Sequence, residues 1–336
     1  MRDNSKTLVK FEWRLCYILH HSAPATDDHF IIELQTARLF GGTLSIFWIS
    51  LGQGLAVAAI LALSSVAFTL EYAVSRVVNL AHGEILTIGA YAAYVCETTY
   101  HQDIYVCAVV ATICGSLAAI AINFIVIENF RNQKPLATLI ATLGVSLVLQ
   151  NVLLIIFGGA SDSYTFNQGS LLHVGPFLWT TLTIEVMVAA IVVAVLIYLL
   201  LQRTRLGKAL RAVSQNRELS QVSGIPARRV VMQTWGVAGA VSGFAGFLYG
   251  ETIGTITPTI GNGFLLLSIT AAVGGGLGRP YATLGGAVVL GLVMAAAGTY
   301  VSSAYQLVIA FGFLVVMLLI KPNGMFVRGM AQTVRA

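Results

Sequence analysis

The chain has 336 residues, 57% of them hydrophobic and 10% charged, with a net charge of +5. Soluble domains carry about 25% charged residues, so most of this surface cannot face water. Several apolar stretches each match the ~20 residues needed to cross a bilayer, which excludes a soluble enzyme and defines a polytopic membrane protein. The basic excess reads as membrane topology rather than nucleic-acid binding.

Residues 1–43 stand apart from the rest. Five basic residues (Arg2, Lys6, Lys10, Arg14, Arg38) balance five acidic ones (Asp3, Glu12, Asp27, Asp28, Glu33). No uninterrupted apolar run there has the length of a signal-peptide core. This segment reads as a peripheral N-terminal extension, and 44–336 as the transmembrane domain.

From Leu44 onward, charge-free runs predict spans near 46–66, 84–100, 104–127, 136–157, 184–202, 230–250, 264–277, 284–299 and 305–320. The expected fold is all-α, a bundle of about eight or nine spans, because backbone polar groups in hydrocarbon must be paired within their own element. The 264–277 segment is short for a crossing. With Gly274-Gly275-Gly276 and Gly278-Arg279-Pro280 it predicts a bent or broken pair with its neighbour.

Seven basic residues lie between 203 and 229: Arg203, Arg205, Lys208, Arg211, Arg217, Arg228 and Arg229. The positive-inside rule makes that loop cytoplasmic. Alternation then places Arg131 to Lys134 inside, 158–182 outside, and the tail with Lys321, Arg328 and Arg335 inside. Nine full crossings put the N-terminus outside; entry of 67–83 as part of a broken helix would reverse that parity.

Small residues recur at packing intervals: Gly239, Gly243, Gly246 and Gly250 in one span, and Gly285, Gly286 and Gly291 in another. Such spacing lets helix backbones approach closely. The cysteines (Cys16, Cys96, Cys107, Cys114) form no CxxC pair and read as small packing residues. Pro135-Leu-Ala-Thr-Leu139 and Pro280-Tyr-Ala-Thr-Leu284 both open a span, a weak internal echo that proline in a first helical turn also explains.

No catalytic signature is present: no HExxH, no GxSxG, no recognisable carboxylate pair, and no metal-ligand spacing. Gly207-Lys208 is followed by Ala209 and lacks the upstream glycine of a phosphate loop. No catalytic, metal or cofactor site is therefore assigned to this chain. Energy must come from an ion gradient or from a partner that uses ATP.

The basic loop carries apolar residues at Leu206, Leu210, Val213, Leu219 and Val222, which predict short amphipathic helices ending near Gly224. Glu218-Leu219-Ser220 followed by Gly224 resembles the EAA-type motif of ABC importer permeases, with Leu219 in place of the usual alanine. The resemblance implies that a loop over about 203–228 docks on an ATPase, with Arg211, Glu218, Leu219, Ser220 and Gly224 in the coupling surface.

A second match is longer. Arg76-Val-Val-Asn-Leu-Ala-His-Gly-Glu84 resembles the (Val/Ile)-Asn-Phe-Ala-His-Gly-Glu segment of branched-chain amino-acid importer permeases. Lys321-Pro-Asn-Gly-Met-Phe326 is similar to that family's Arg-Pro-x-Gly-Leu-Phe ending. Together with Pro135 to Gly144, the likeness covers about 46–328 and is to the first-permease type. Departures lie at Ala67, Glu71 and Ala73.

Within that segment Asn79, His82, Gly83 and Glu84 interrupt an apolar pattern beside Glu71 and Arg76. Polar groups in a membrane are costly and face a bundle interior or a water path, and Gly83 permits a helix break. These residues form a candidate pathway or gate; locking of helices by hydrogen bonds is the alternative role. Gln150, Asn151 and Asn123 read as helix–helix hydrogen-bonding residues, Glu185 as outer-edge, Glu128 as inner-edge, and Trp48, Trp179 and Trp235 as interfacial anchors.

The resemblance implies a permease subunit of an ATP-driven importer in a bacterial inner membrane. Its partners would be a second homologous permease, two cytoplasmic ATPases that use the ATP, an external solute-binding protein and membrane lipid. Branched-chain amino acids are the implied solute, with urea or short amides as an alternative. A stand-alone secondary carrier or channel using Glu71, Arg76, His82 and Glu84 is the reading from another class.

Overall fold

The structure is a computed structural model that describes residues 52, 54–130, 133–164, 171–174, 177–300, 305–321 and 324–326. The predicted extension 1–43, Trp48, Arg131, Asn132, Arg328 and Arg335 lie outside the described residues. All described residues belong to the compact unit Phe47–Ala336.

Helix α1 runs Gly54–Ser75, followed by α2 (His82–Tyr100), α3 (Ile104–Ile122, prolonged by a π-helical turn Asn123–Ile127) and α4 (Pro135–Phe157). Then come α5 (Thr181–Arg203), two short helices α6 (Arg205–Gln215) and α7 (Arg217–Val222), and α8 (Ala227–Ile253). The last are α9 (Ile260–Gly275), α10 (Pro280–Tyr300) and α11 (Gln306–Ile320). Short strands β1 (Asp162–Ser163) and β4 (Thr255–Ile256) pair antiparallel, as do β2 (Leu171–Val174) and β3 (Phe177–Thr180).

Six of these helices are long and apolar enough to cross a bilayer (α1, α3, α4, α5, α8 and α10), and α9 and α11 are shorter apolar helices. With α2 they fall on the predicted spans, so the chain is an all-α polytopic bundle. One boundary differs. The first span was predicted to end at 66, but α1 continues to Ser75 because Glu71 is buried within it rather than marking its end. The segment 67–83 is divided between the end of α1 and the start of α2, with the break confined to 76–81.

Glycine sets the core spacing, since association in lipid rests on close backbone contact rather than on a hydrophobic drive. A Cβ on Gly115 of α3 would lie 2.5 Å from Gly239 O and 2.7 Å from Gly243 Cα of α8. On the other side of α8, a Cβ on Gly246 would lie 2.1 Å from Leu86 O of α2. The stripe read in the sequence thus seats α8 between α2 and α3.

The predicted broken pair is α9 and α10, separated at 276–279 by Gly276 (φ 135°) and Gly278 (φ 81°), a backbone region that suits only glycine well. The segment ending at Phe326 packs on this corner: Met325 N donates to Gly274 O at 2.9 Å, and the Phe326 ring lies against Gly285.

The outer helices differ. In α4 only Thr138, Thr142, Ser146 and Leu153 are buried, while Leu136, Ile140, Leu147 and Ile155 are exposed. That apolar surface suits lipid or another subunit.

Three polar or aromatic assignments change. Trp235 is fully buried in α8 rather than interfacial. Asn151 Nδ2 donates to Leu147 O in its own helix at 2.7 Å, not to another helix. Asn123 is buried in the π-turn, and its Oδ1 accepts no hydrogen bond. Among the described residues Cys96, Cys107 and Cys114 are free thiols, the first two buried.

Candidate functional site

The break between α1 and α2 is written locally. Arg76 N closes α1 on Tyr72 O at 2.8 Å, and Arg76 then takes a left-handed φ of 58° that stops the helix. Val77 and Val78 follow, β-branched residues with weak helix preference. Asn79 Oδ1 accepts from Ala81 N at 3.0 Å, a local turn that starts α2.

The side chains around this break form one buried network. Glu71 Oε1 pairs with His82 Nδ1 at 2.9 Å, and Glu71 Oε2 accepts from Asn79 Nδ2 at 2.8 Å. His82 Nε2 lies 3.3 Å from Ser64 Oγ, which lies 2.8 Å from Ser268 Oγ of α9. Phe68 meets the imidazole edge-on at 5.4 Å between centroids. Glu71, His82, Ser64 and Ser268 are all fully buried.

Two proton arrangements satisfy this chain. In one, His82 is an imidazolium donating to Glu71 and Ser64, and Ser64 donates to Ser268. In the other, Ser268 gives up its 2.9 Å bond to Phe264 O and donates to Ser64, Ser64 donates to Nε2, and a neutral His82 donates from Nδ1 to Glu71. Either way both ring nitrogens are occupied.

The other two predicted residues sit beside the network. Gly83 is in backbone contact with Gly261 of α9, where a Cβ would lie 2.5 Å from the carbonyl oxygen. Glu84 Oε1 accepts from Ser146 Oγ of α4 at 3.2 Å, while its Oε2 is buried without a partner. Leu80 N donates to Thr142 Oγ1 at 3.3 Å, so α4 holds the break from a second side. The structure thus brings Asn79, His82, Gly83 and Glu84 together and adds Ser64, Ser268, Ser146 and Gly261, which were not read from the sequence.

A separate surface forms on the 203–228 loop. Helix α6 lies on the bundle through buried Leu210 and Val213, and Gly207 abuts the Leu201 backbone. Asn216 Oδ1 caps α7 by accepting from Leu219 N at 3.0 Å. Ser220 is buried, with Oγ donating to Asn216 O at 2.7 Å. Gly224 takes a φ of 81° just beyond α7, in open space. Glu218 and Arg211 are exposed, the latter donating to Gln202 Oε1 at 3.5 Å. Leu219 and Val222 point outward at 63% and 87% exposure.

Charge is segregated. Every described Lys and Arg lies at the end of the bundle that carries α6 and α7: Arg76, Lys134, the seven of the loop, Arg279 and Lys321. Glu97, Asp103, Asp162, Glu185 and Glu251 lie at or near the opposite helix ends. Arg228 pairs with Glu128 across the basic end.

A many-helix membrane bundle with a buried polar knot at a helix break fits a membrane transport protein. The chain belongs to the family described as "Branched-chain amino acid transport system / permease component", whose model matches residues 50–318. It is 29% identical over 289 residues to the high-affinity branched-chain amino acid transport system permease protein LivH of Escherichia coli K12, covering 82% of this chain and 94% of that protein. The corresponding protein BraD of Pseudomonas aeruginosa is 29% identical over 296 residues, again covering 82% and 94%. The ribose import permease RbsC of E. coli K12 is 26% identical over 260 residues, covering 74% and 78%. The chain is a transport permease, not an enzyme.

Proposed function

We propose that this chain is one membrane-spanning permease of an ATP-driven importer for branched-chain or related apolar amino acids. It would act with a second homologous permease, two cytoplasmic ATPase subunits and an external solute-binding protein, in a bacterial inner membrane. The observation that carries the reading is α7: Glu218, Leu219 and Val222 stand exposed at the basic end, an apolar and acidic knob suited to a groove on another protein. The segregation of described Lys and Arg supports a cytoplasmic position for this end, and for the segment up to Phe326 that packs there.

In this reading Arg211, Glu218, Leu219, Ser220 and Gly224 form the coupling surface. Glu218, Leu219 and Gly224 face the ATPase, while Ser220 holds α7 in shape. Asn79, His82, Gly83 and Glu84 act as a lock and hinge rather than as a solute contact, because their side chains are buried and largely engaged with protein. The likeness to both amino-acid and ribose permeases supports a solute chosen largely outside this chain, by the binding protein.

Co-purification from membranes tests the proposal, with an ATPase assay on wild type, Glu218→Ala and Gly224→Pro. ATPase subunits should accompany the wild type and be lost or uncoupled in the variants. Transport by the purified chain alone on a proton gradient, without ATP, would instead make it a secondary carrier.

A further inference from the structure

Helix α6 ends with carbonyls that have no partner in their own helix. Arg76 supplies one: its Nη2 donates to the carbonyl oxygen of Ser214, in the last turn of α6. A cation there also meets the negative end of the helix dipole. The contact spans 138 positions and joins the α1–α2 break to the loop that carries the exposed knob.

Both ends of this contact are placed where movement would be passed on. Ser214 lies two residues before Asn216, the cap of α7, so the joint between α6 and α7 is under the Arg76 guanidinium. Arg76 begins the break whose Asn79 and His82 both bind Glu71. It does so in a left-handed backbone that non-glycine residues rarely take, so its position is held by the surrounding structure. Open space lies on two sides. Arg76, Arg217 and Arg228 line a cavity of about 170 Å³, and Ser214, Arg211 and Ala73 line another of about 460 Å³.

We propose that Arg76 is a positioning residue that ties the α6–α7 joint to the α1–α2 break. A displacement of α7 is thereby delivered to the Glu71–Asn79–His82 lock and, through Ser64 and Ser268, to α9. This rests on the reading of the chain as an ATP-driven importer permease. A lysine would keep the charge but lose the planar fork that fits a helix-end carbonyl.

The test uses the complete importer, with both permeases, ATPases and binding protein, in proteoliposomes supplied with leucine. The quantity read is leucine moved per ATP hydrolysed, for wild type, Arg76→Gly and Arg76→Lys. Glycine removes the side chain while accepting the left-handed backbone, so it separates the contact from backbone strain. The ratio should fall at least about tenfold in Arg76→Gly, the order expected for loss of a charge-assisted hydrogen bond, and less in Arg76→Lys. An assembled Arg76→Gly importer with the wild-type ratio overturns the proposal. If Arg76→Gly does not assemble, Arg76→Gln is read the same way, and failure of both to assemble makes Arg76 a folding residue and also overturns it. If wild-type transport needs no ATPase partner, the importer reading itself fails, a separate and recognisable result.

Discussion

Gly83 of α2 and Gly261 of α9 touch backbone to backbone: a methyl group on Gly83 would lie 2.5 Å from the Gly261 carbonyl oxygen, and one on Gly261 2.1 Å from that of Gly83. The atoms in the way belong to main chain, so no side-chain rotation relieves the overlap. Gly83→Ala and Gly261→Ala should each force the helices apart at a cost of about 1–3 kcal/mol. The thermal midpoint of the detergent-solubilised chain should drop accordingly. Gly144→Ala is the control, because a Cβ there meets nothing within 4 Å. Equal midpoints for all three variants would rule out the close contact.

Glu71 and His82 make a second testable pair. Both are fully buried, and removing one partner leaves the other without its compensation. Breaking a buried pair in this way costs about 3–5 kcal/mol. Glu71→Ala and His82→Ala should each lower stability by that order, and the double variant by clearly less than the sum, since contacting residues couple by about 0.5–3 kcal/mol. A strictly additive double-mutant cycle in chemical denaturation would show that the two side chains do not support one another.

How far the sequence reaches is clear from these two sites. The spans followed from charge-free runs because lipid tolerates few unpaired charges, and the α9–α10 break followed from its glycines. The end of α1 was placed too early, at 66: the helix runs on to Ser75 and takes in Glu71, an interior glutamate with partners. Asn79, His82 and Glu84 stood out as polar residues in an apolar setting, and Gly83 as a glycine that permits a break. Ser64 and Ser268 did not: serine is unremarkable in a membrane helix, and their contact joins positions 204 apart. Amphipathic spacing marks the apolar positions of the 203–228 loop but not which neighbour covers each: Leu210 and Val213 turn to the bundle, Leu219 and Val222 away from it.

The Arg228–Glu128 pair should behave quite differently from the buried one. It joins α8 to the end of α3, but the arginine side chain is 67% exposed and the glutamate 25%. Pairs at such exposure contribute about 0–1 kcal/mol and weaken with salt. Glu128→Gln should therefore shift the thermal midpoint little at low ionic strength and not measurably in high salt. A loss as large as that of Glu71→Ala would mean that this end of the bundle is far less hydrated than its exposure indicates.

The outward face of α7 allows the sharpest separation of docking from folding. Leu219 and Val222 touch little in this chain, so Leu219→Ser and Val222→Ser should leave its own thermal midpoint within about 0.5 kcal/mol of wild type. If the knob enters a groove on an ATPase, each truncation removes apolar surface that the complex buries, a change of about 1–3 kcal/mol or roughly 5- to 150-fold in affinity. Co-purification of ATPase subunits should weaken in each single variant and be lost in the double one, while the permease itself stays folded. Ser220→Val is the converse case: it removes the Oγ bond to Asn216 O and crowds a buried position, so folding of the loop and docking should fail together. Wild-type recovery of ATPases by the Leu219→Ser/Val222→Ser chain would place the docking surface elsewhere on the basic end.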